Sequence, residues 1–192
     1  MKTTTVCLLG GTGFVGHHLI RQLTESGYRL RILTRRRERN RDLLVLPNVD
    51  LVEADIQDEQ VLTRQFMGCD AVINLVGILN EKGSNGSGFR RAHVELPRKI
   101  LQACLASGVT RVLHMSALNA DADKGSSHYL RSKGAGEDLL HSMQGLRVTS
   151  FRPSVIFGPG DSFFNRFATL LKLSPLFFPL ACPNARFAPV YV

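Results

Sequence analysis

Apolar and polar positions along the chain alternate between two patterns. Short apolar runs stand at Thr4–Leu9, Arg29–Thr34, Val49–Val52, Ala71–Val76, Arg111–Met115 and Val148–Phe151. Between them lie longer stretches whose apolar residues recur every three or four positions. These are Val15, Leu19, Ile20 and Leu23 within Phe14–Glu25; Val61, Leu62 and Phe66; Val94, Ile100, Leu101 and Leu105 within Phe89–Ser107; and a run from Tyr129 to about Ser142. The first pattern predicts strands and the second amphipathic helices. Ser26-Gly27 and Gly108 stop two of the helices, glycine being the residue that tolerates the left-handed turn there. Strands alternating with helices predict an α/β fold: a doubly wound parallel sheet (a Rossmann fold) with helices on both faces. At 192 residues the chain can bury its own core, so residues 1–192 are expected to form one domain.

The junction of the first strand and first helix carries Gly10-Gly11-Thr12-Gly13-Phe14-Val15-Gly16. A pyrophosphate can rest on a helix N-terminus only where the backbone turns sharply and no Cβ blocks its approach. Gly10 or Gly11 is expected to make the turn, Gly13 to let the main chain touch phosphate, and Gly16 to let the helix pack closely. A glycine-rich turn of this kind also fits plain tight packing. Its place after an apolar strand and before a helical pattern favours the phosphate reading.

In a dinucleotide fold the end of the second strand meets the adenosine ribose. An acid there reads a free 2′-hydroxyl, and an arginine reads a 2′-phosphate. This strand ends in Thr34, Arg35 and Arg36, without an acid. NADP(H) is therefore expected over NAD(H), which stays open as the alternative, because a guanidinium fork suits phosphate. The second reading of Arg35, Arg36, Arg37, Arg39 and Arg41 is a solvated basic loop. After the third strand, Asp55 and Ile56 are candidates for the adenine edge, with a helix-capping role for Asp55 or Asp58 as the alternative. Asn74, Leu75, Val76 and Gly77 would lie at the carboxyl end of a central strand, where such sheets bind ligands. Ile78–Gly88, rich in Asn, Gly and Ser, reads as a mobile loop over the site.

Tyr129 and Lys133, four apart, share a helical face. The ammonium is expected to lower the phenol pKa toward neutrality, which is how a tyrosine becomes a general acid or base. Ser116, following Met115 at the end of the preceding strand, could hydrogen-bond the reacting oxygen. His93 has no partner acid and no metal-ligand spacing, so it reads as a structural hydrogen-bonder.

The formal net charge of +8 points to an anionic partner. Nucleic acid is disfavoured because no aromatics interleave the arginines. Cys7, Cys69, Cys104 and Cys182 form no C-x-x-C pair and read as buried thiols in a reducing compartment, with no metal site expected. The start shows no leader pattern and no window reaches the length of a membrane span, which predicts a soluble, cytoplasmic protein. Phe163, Phe164, Phe167, Phe177, Phe178 and Phe187, interrupted by Pro175, Pro179 and Pro183, read as core or pocket wall, or alternatively as a membrane-surface or partner patch beside Lys172 and Arg186.

The glycine turn, Asn74–Gly77, Ser116 and Tyr129-x-x-x-Lys133 together resemble the short-chain dehydrogenase/reductase superfamily, in its extended or atypical branch. More narrowly, Met115-Ser-Ala-Leu-Asn-Ala120, Tyr129-Leu-Arg-Ser-Lys133 with Gly136-Glu137, and Arg152-Pro-Ser-Val-Ile-Phe-Gly158 with Asp161-Ser-Phe-Phe-Asn165 resemble the NADPH-binding accessory subunits of respiratory complex I and their stand-alone bacterial relatives. The resemblance implies bound NADP(H) and an oxidoreductase or epimerase/dehydratase acting through Ser116, Tyr129 and Lys133 on a small molecule that the sequence does not name. It also implies that Pro153, Ser154 and Val155 approach the nicotinamide. The alternative it carries is a subunit or assembly factor that holds the nucleotide without turnover, with a respiratory complex or membrane surface as partner. The absence of an organelle leader points to a bacterial relative. Extended members continue into a substrate lobe, so residues 160–192 read as its opening elements, with the remainder truncated.

Overall fold

The computed structural model describes residues 3–81, 83–173 and 184–192. The chain divides into two compact units, Met1–Arg152 and Pro153–Val192. The first contains strands β1 (Thr5–Leu9), β2 (Arg29–Thr34), β3 (Val49–Glu53), β4 (Ala71–Asn74), β5 (Arg111–Met115) and β6 (Arg147–Phe151). They form one sheet in the order β3-β2-β1-β4-β5-β6, parallel throughout, so the expected doubly wound topology is present.

Alternation along β1 sorts the core into two layers. Val6 and Leu8 face helix α1 (Phe14–Glu25) and join Ile20, Leu30, Ile32 and Ile73. Cys7 and Leu9 face the other way, toward helices α2 (Glu59–Phe66) and α4 (Leu96–Ser107), and pack with Leu62, Phe66, Val72, Ile100 and Val112. Asp58 caps α2, its Oδ1 accepting from Gln60 N (2.8 Å) and Val61 N (3.2 Å). Cys7, Cys69 and Cys104 are buried free thiols, whereas Cys182 lies outside the described residues.

The long helix expected over Phe89–Ser107 has a more particular form. A short helix α3 (Ser87–Arg90) passes through a π turn at Arg91–Glu95 into α4. Pro97, in the first turn of α4, explains the break. It has no N–H to give the carbonyl four residues back, and its ring crowds that carbonyl, which belongs to His93. The freed His93 carbonyl instead abuts Gly136 of helix α5 (His128–His141), where a Cβ would have no room. Leu105, expected inward, is half exposed, because the buried stripe runs from Ile100 to Cys104 and Leu105 falls outside it.

In the second unit, strands β7 (Val155–Phe157) and β8 (Pro189–Tyr191) pair in parallel, and helix α6 (Phe164–Leu173) begins after Asp161 accepts from Phe164 N at 2.7 Å. Phe163 makes edge contacts with Phe164 and Phe167 and a tilted one with Phe187. These rings remain partly exposed, so they are not core within their own unit. Phe177, Phe178, Pro175, Pro179 and Pro183 lie outside the described residues. Among the described residues no helix is long and apolar enough to cross a membrane, and no cluster of His, Cys, Asp and Glu could hold a metal ion.

Candidate functional site

The turn after β1 is made by Gly10, whose φ of +76° lies in the left-handed region. A Cβ there would also stand 2.9 Å from the backbone of Leu75 and Val76, so this glycine meets both a conformational and a steric demand. Gly13 N donates to Gly10 O at 3.1 Å, and Gly13 is the extended, exposed residue that opens α1. Gly16 packs on the carbonyl of Gly11, where any side chain would collide with backbone. No side chain caps α1 and no acid stands in its first turn. The leading amides of Phe14, Val15 and Gly16 have no intrahelical acceptor, which leaves a helix terminus suited to an anion. The observed cradle thus fits a pyrophosphate. Thr12, Phe14 and Val15 are each half-buried around it.

At the end of β2, Thr34 is buried and its Oγ1 accepts from Arg36 N at 3.3 Å. The side chains of Arg35 and Arg36 are exposed, and among the described residues neither forms an ion pair. An acid that the sequence reading missed stands alongside. Glu53 of β3 is in register with Thr34, and its carboxylate accepts from Arg37 N at 3.0 Å. Strand register, invisible in a linear pattern, brings it there. Also unforeseen is His17 in the first turns of α1, which reaches Asp42 at 3.3 Å and so ties the arginine segment to the glycine turn. Asp55 is exposed and accepts from Gln57 N (2.9 Å), making a local turn and not the helix cap, while Ile56 packs on the core.

Two hydrogen-bond chains organise the ends of β4 and β5, and backbone donors fix their direction. Val76 N–H donates to Asn74 Oδ1 (3.1 Å), so Asn74 Nδ2 donates to His114 Nδ1 (3.1 Å) and the His114 proton sits on Nε2. Ile78 N–H donates to His93 Nε2 (3.1 Å), so His93 Nδ1–H donates to Ser132 Oγ (2.9 Å), which donates to the Tyr129 carbonyl (2.8 Å). Asn74 therefore shapes the Leu75–Val76 turn with a fully buried side chain, and His93 has the structural role the sequence suggests. The Ile78–Gly88 loop is also tied down: Glu81 accepts from Gly86 N (2.7 Å) and Gly88 N (2.8 Å).

Lys133 is buried, and its ammonium donates to the Met115 carbonyl at 2.5 Å. A Cβ on Gly77 would stand 3.6 Å from that same nitrogen. Lys133 thus sits between the carboxyl ends of β4 and β5, the crevice in which open parallel sheets take ligands. Burial pushes its pKa down to about 8, partly offset by Glu137. The Tyr129 ring lies edge-on to His93 (5.4 Å) and Phe89 (5.9 Å). The expected lowering of the tyrosine pKa is absent. Burial pushes the phenol up, and the ammonium that would oppose this is held by Met115. The Ser116 hydroxyl, assigned by sequence to a reacting oxygen, is buried without a hydrogen-bond partner of ordinary geometry. Pro153, Ser154 and Val155 belong to the second unit, where Ser154 Oγ accepts from Ala188 N at 3.3 Å.

Comparison with known proteins gives a consistent picture. A family model described as the NAD dependent epimerase/dehydratase family matches residues 6–172. A ceramide reductase of Caulobacter vibrioides is 32% identical over 190 residues, covering 97% of this chain and 57% of that protein. The mitochondrial NADH dehydrogenase [ubiquinone] 1 alpha subcomplex subunit 9 of Mus musculus is 34% identical over 165 residues, covering 84% of this chain and 43% of that protein. The chain thus spans about half the length of these relatives. Among solved structures, a dTDP-glucose 4,6-dehydratase of Streptomyces venezuelae with NAD bound superposes with a TM-score of 0.77 at 25% identity, over 100% of this chain and 68% of that one.

Proposed function

The chain belongs to the NAD dependent epimerase/dehydratase family, the extended short-chain dehydrogenase/reductases, and from that premise we propose that it binds NADP(H) and acts as an oxidoreductase or epimerase/dehydratase through Tyr129 and Lys133. The observation that carries this reading is the buried Lys133 ammonium at the sheet crevice, one helical turn from Tyr129, on the same carboxyl edge as the uncapped start of α1. The bound nucleotide would supply hydride transfer. Gly10, Gly13 and the first amides of α1 would hold its pyrophosphate, and Arg35 and Arg36 beside Thr34 would take a 2′-phosphate. Tyr129 Oη would move the proton at the substrate oxygen. Lys133 would place positive charge beside the nicotinamide ribose and stabilise the phenolate when it forms. Support for NADP(H) over NAD(H) is the exposed pair of guanidinium groups and the commitment of the nearby Glu53 to a backbone amide.

A second reading is a nucleotide-binding subunit or assembly factor without turnover, acting in the cytoplasm or docked at a membrane face on a respiratory complex. The buried Ser116 hydroxyl favours it, as does the likeness to a mitochondrial NADH dehydrogenase subunit. Tyr129→Phe separates the two. On the enzyme reading, NADPH-dependent turnover of a ketone or sugar-nucleotide panel falls by about 100-fold or more, as loss of a general acid does, while NADPH affinity stays within twofold. Turnover unchanged in the variant contradicts the enzyme reading. Absence of turnover with nucleotide binding intact favours the subunit.

A further inference from the structure

The face of β5 toward α5 turns polar at its carboxyl end. Val112 is apolar core, but the next two residues on that side are His114 and Ser116, both buried and each with one side-chain polar atom unpartnered: His114 Nε2 and Ser116 Oγ. Opposite them α5 presents Lys133 and, four residues on, Glu137, which is also buried. Arg152, the last residue of the first unit, forks onto Glu137: Nε lies 3.0 Å from both carboxylate oxygens and Nη2 lies 3.0 Å from Oε1. Such a fork is strong and directional. It fixes the carboxylate of Glu137, a residue four positions beyond Lys133 on α5.

We propose that Glu137 is a positioning residue that keeps the Lys133 ammonium charged and seated at the crevice, with Arg152 fixing the carboxylate in turn. A buried ammonium needs an anion or full hydrogen bonding to persist. The groups around Lys133 supply little else. Met115 gives one carbonyl, His93 and His114 are held neutral by burial and repelled by the ammonium itself, and the Tyr129 phenol is held in its protonated form. Among the described residues, Glu137 is the anion that favours charge on Lys133. Despite its own burial, Glu137 is held below the usual carboxylate range by the Arg152 guanidinium.

This inference deepens the nucleotide-binding reading and rests on it for its consequence, but the electrostatic core can be tested without any nucleotide. The chain has six lysines, so ¹³C-lysine labelling of the full chain gives few resonances, and Lys133→Met assigns the one needed. In the wild type the Lys133 signal is expected to titrate near pH 8. Glu137→Gln should move that midpoint down by at least half a unit, and Glu137→Asp, which retains the charge, should restore it to within about 0.3 units. NADPH affinity of Glu137→Gln should then drop about threefold at pH 8.5 and stay nearly unchanged at pH 6.5, where the ammonium is regained. Should Glu137→Gln fail to fold, the double variant Glu137→Gln/Arg152→Met, which removes both charges, should show the same downward midpoint. An unmoved Lys133 midpoint in either folded variant overturns the proposal and leaves Glu137 a structural brace. If NADPH fails to bind the wild type, the nucleotide reading falls, and the lysine titration still decides the role of Glu137.

Discussion

Gly136→Ala is expected to lower stability by about 3 kcal/mol, the upper range for overpacking a close contact. The reason lies in another residue. Pro97 denies the His93 carbonyl its helical partner, the carbonyl projects from the π turn, and α5 approaches it with a glycine at the point of contact. A methyl group there meets the His93 carbonyl and the Pro97 ring, neither of which has a flexible side chain to swing aside, so α5 itself must move. That movement pulls Ser132 from His93 and Lys133 from Met115, which are adjacent on the same helix. The measurement is the denaturant midpoint of Gly136→Ala against Asp138→Ala, an exposed position on the same helix that should change little. A Gly136→Ala protein within about 0.5 kcal/mol of the wild type would show that the helices are not in this contact.

Acidification from about pH 6.5 toward 4 should cost a few kcal/mol of stability. Burial, with smaller contributions from Lys133 and other neighbours, pushes His93 down to about 3 and His114 down to about 4. Both start from an ordinary value of 6.5, so between that value and the folded ones the unfolded chain binds more protons. Stability therefore falls as pH drops through this window. The hydrogen bonds state the same physics: His93 Nε2 accepts from Ile78 N and His114 Nδ1 accepts from Asn74, and a protonated ring can accept from neither. Lys133 acts in another range. Its folded value of about 8 lies below 10.5, so stability should rise as pH increases between the two. Denaturant midpoints at pH 7, 6 and 5 test the acid limb, and His114→Gln should flatten it by about one proton. Midpoints that hold constant from pH 7 to 5 would mean that the two rings ionise freely in the folded state.

Much of the frame was legible because period two and period 3.6 are local signals. β1 through β6, the glycine turn and the helix carrying Tyr129 and Lys133 follow from spacing alone. What was not legible depends on residues far apart in sequence. The Arg152–Glu137 fork, the His17–Asp42 contact and the placement of Glu53 beside Thr34 exist only once the sheet register is set. The tyrosine illustrates the same limit. Spacing put an ammonium on its face, but tertiary contact gave that ammonium to Met115 and left burial to dominate. Pro97 was a visible signal in a stretch read as one regular helix, and its missing N–H is what opens the π turn.

The central claim is that the turn from Gly10 to Gly16 holds a dinucleotide and that Arg35 reads its 2′-phosphate. Calorimetric titration of the intact protein and of Arg35→Ala with NADPH and NADH tests it directly. The wild type should bind NADPH saturably at one site and more tightly than NADH, and Arg35→Ala should weaken NADPH about tenfold, as loss of a charge-assisted contact does, while leaving NADH within twofold. No saturable binding of either nucleotide would contradict the site, and equal loss of both in Arg35→Ala would contradict the phosphate role.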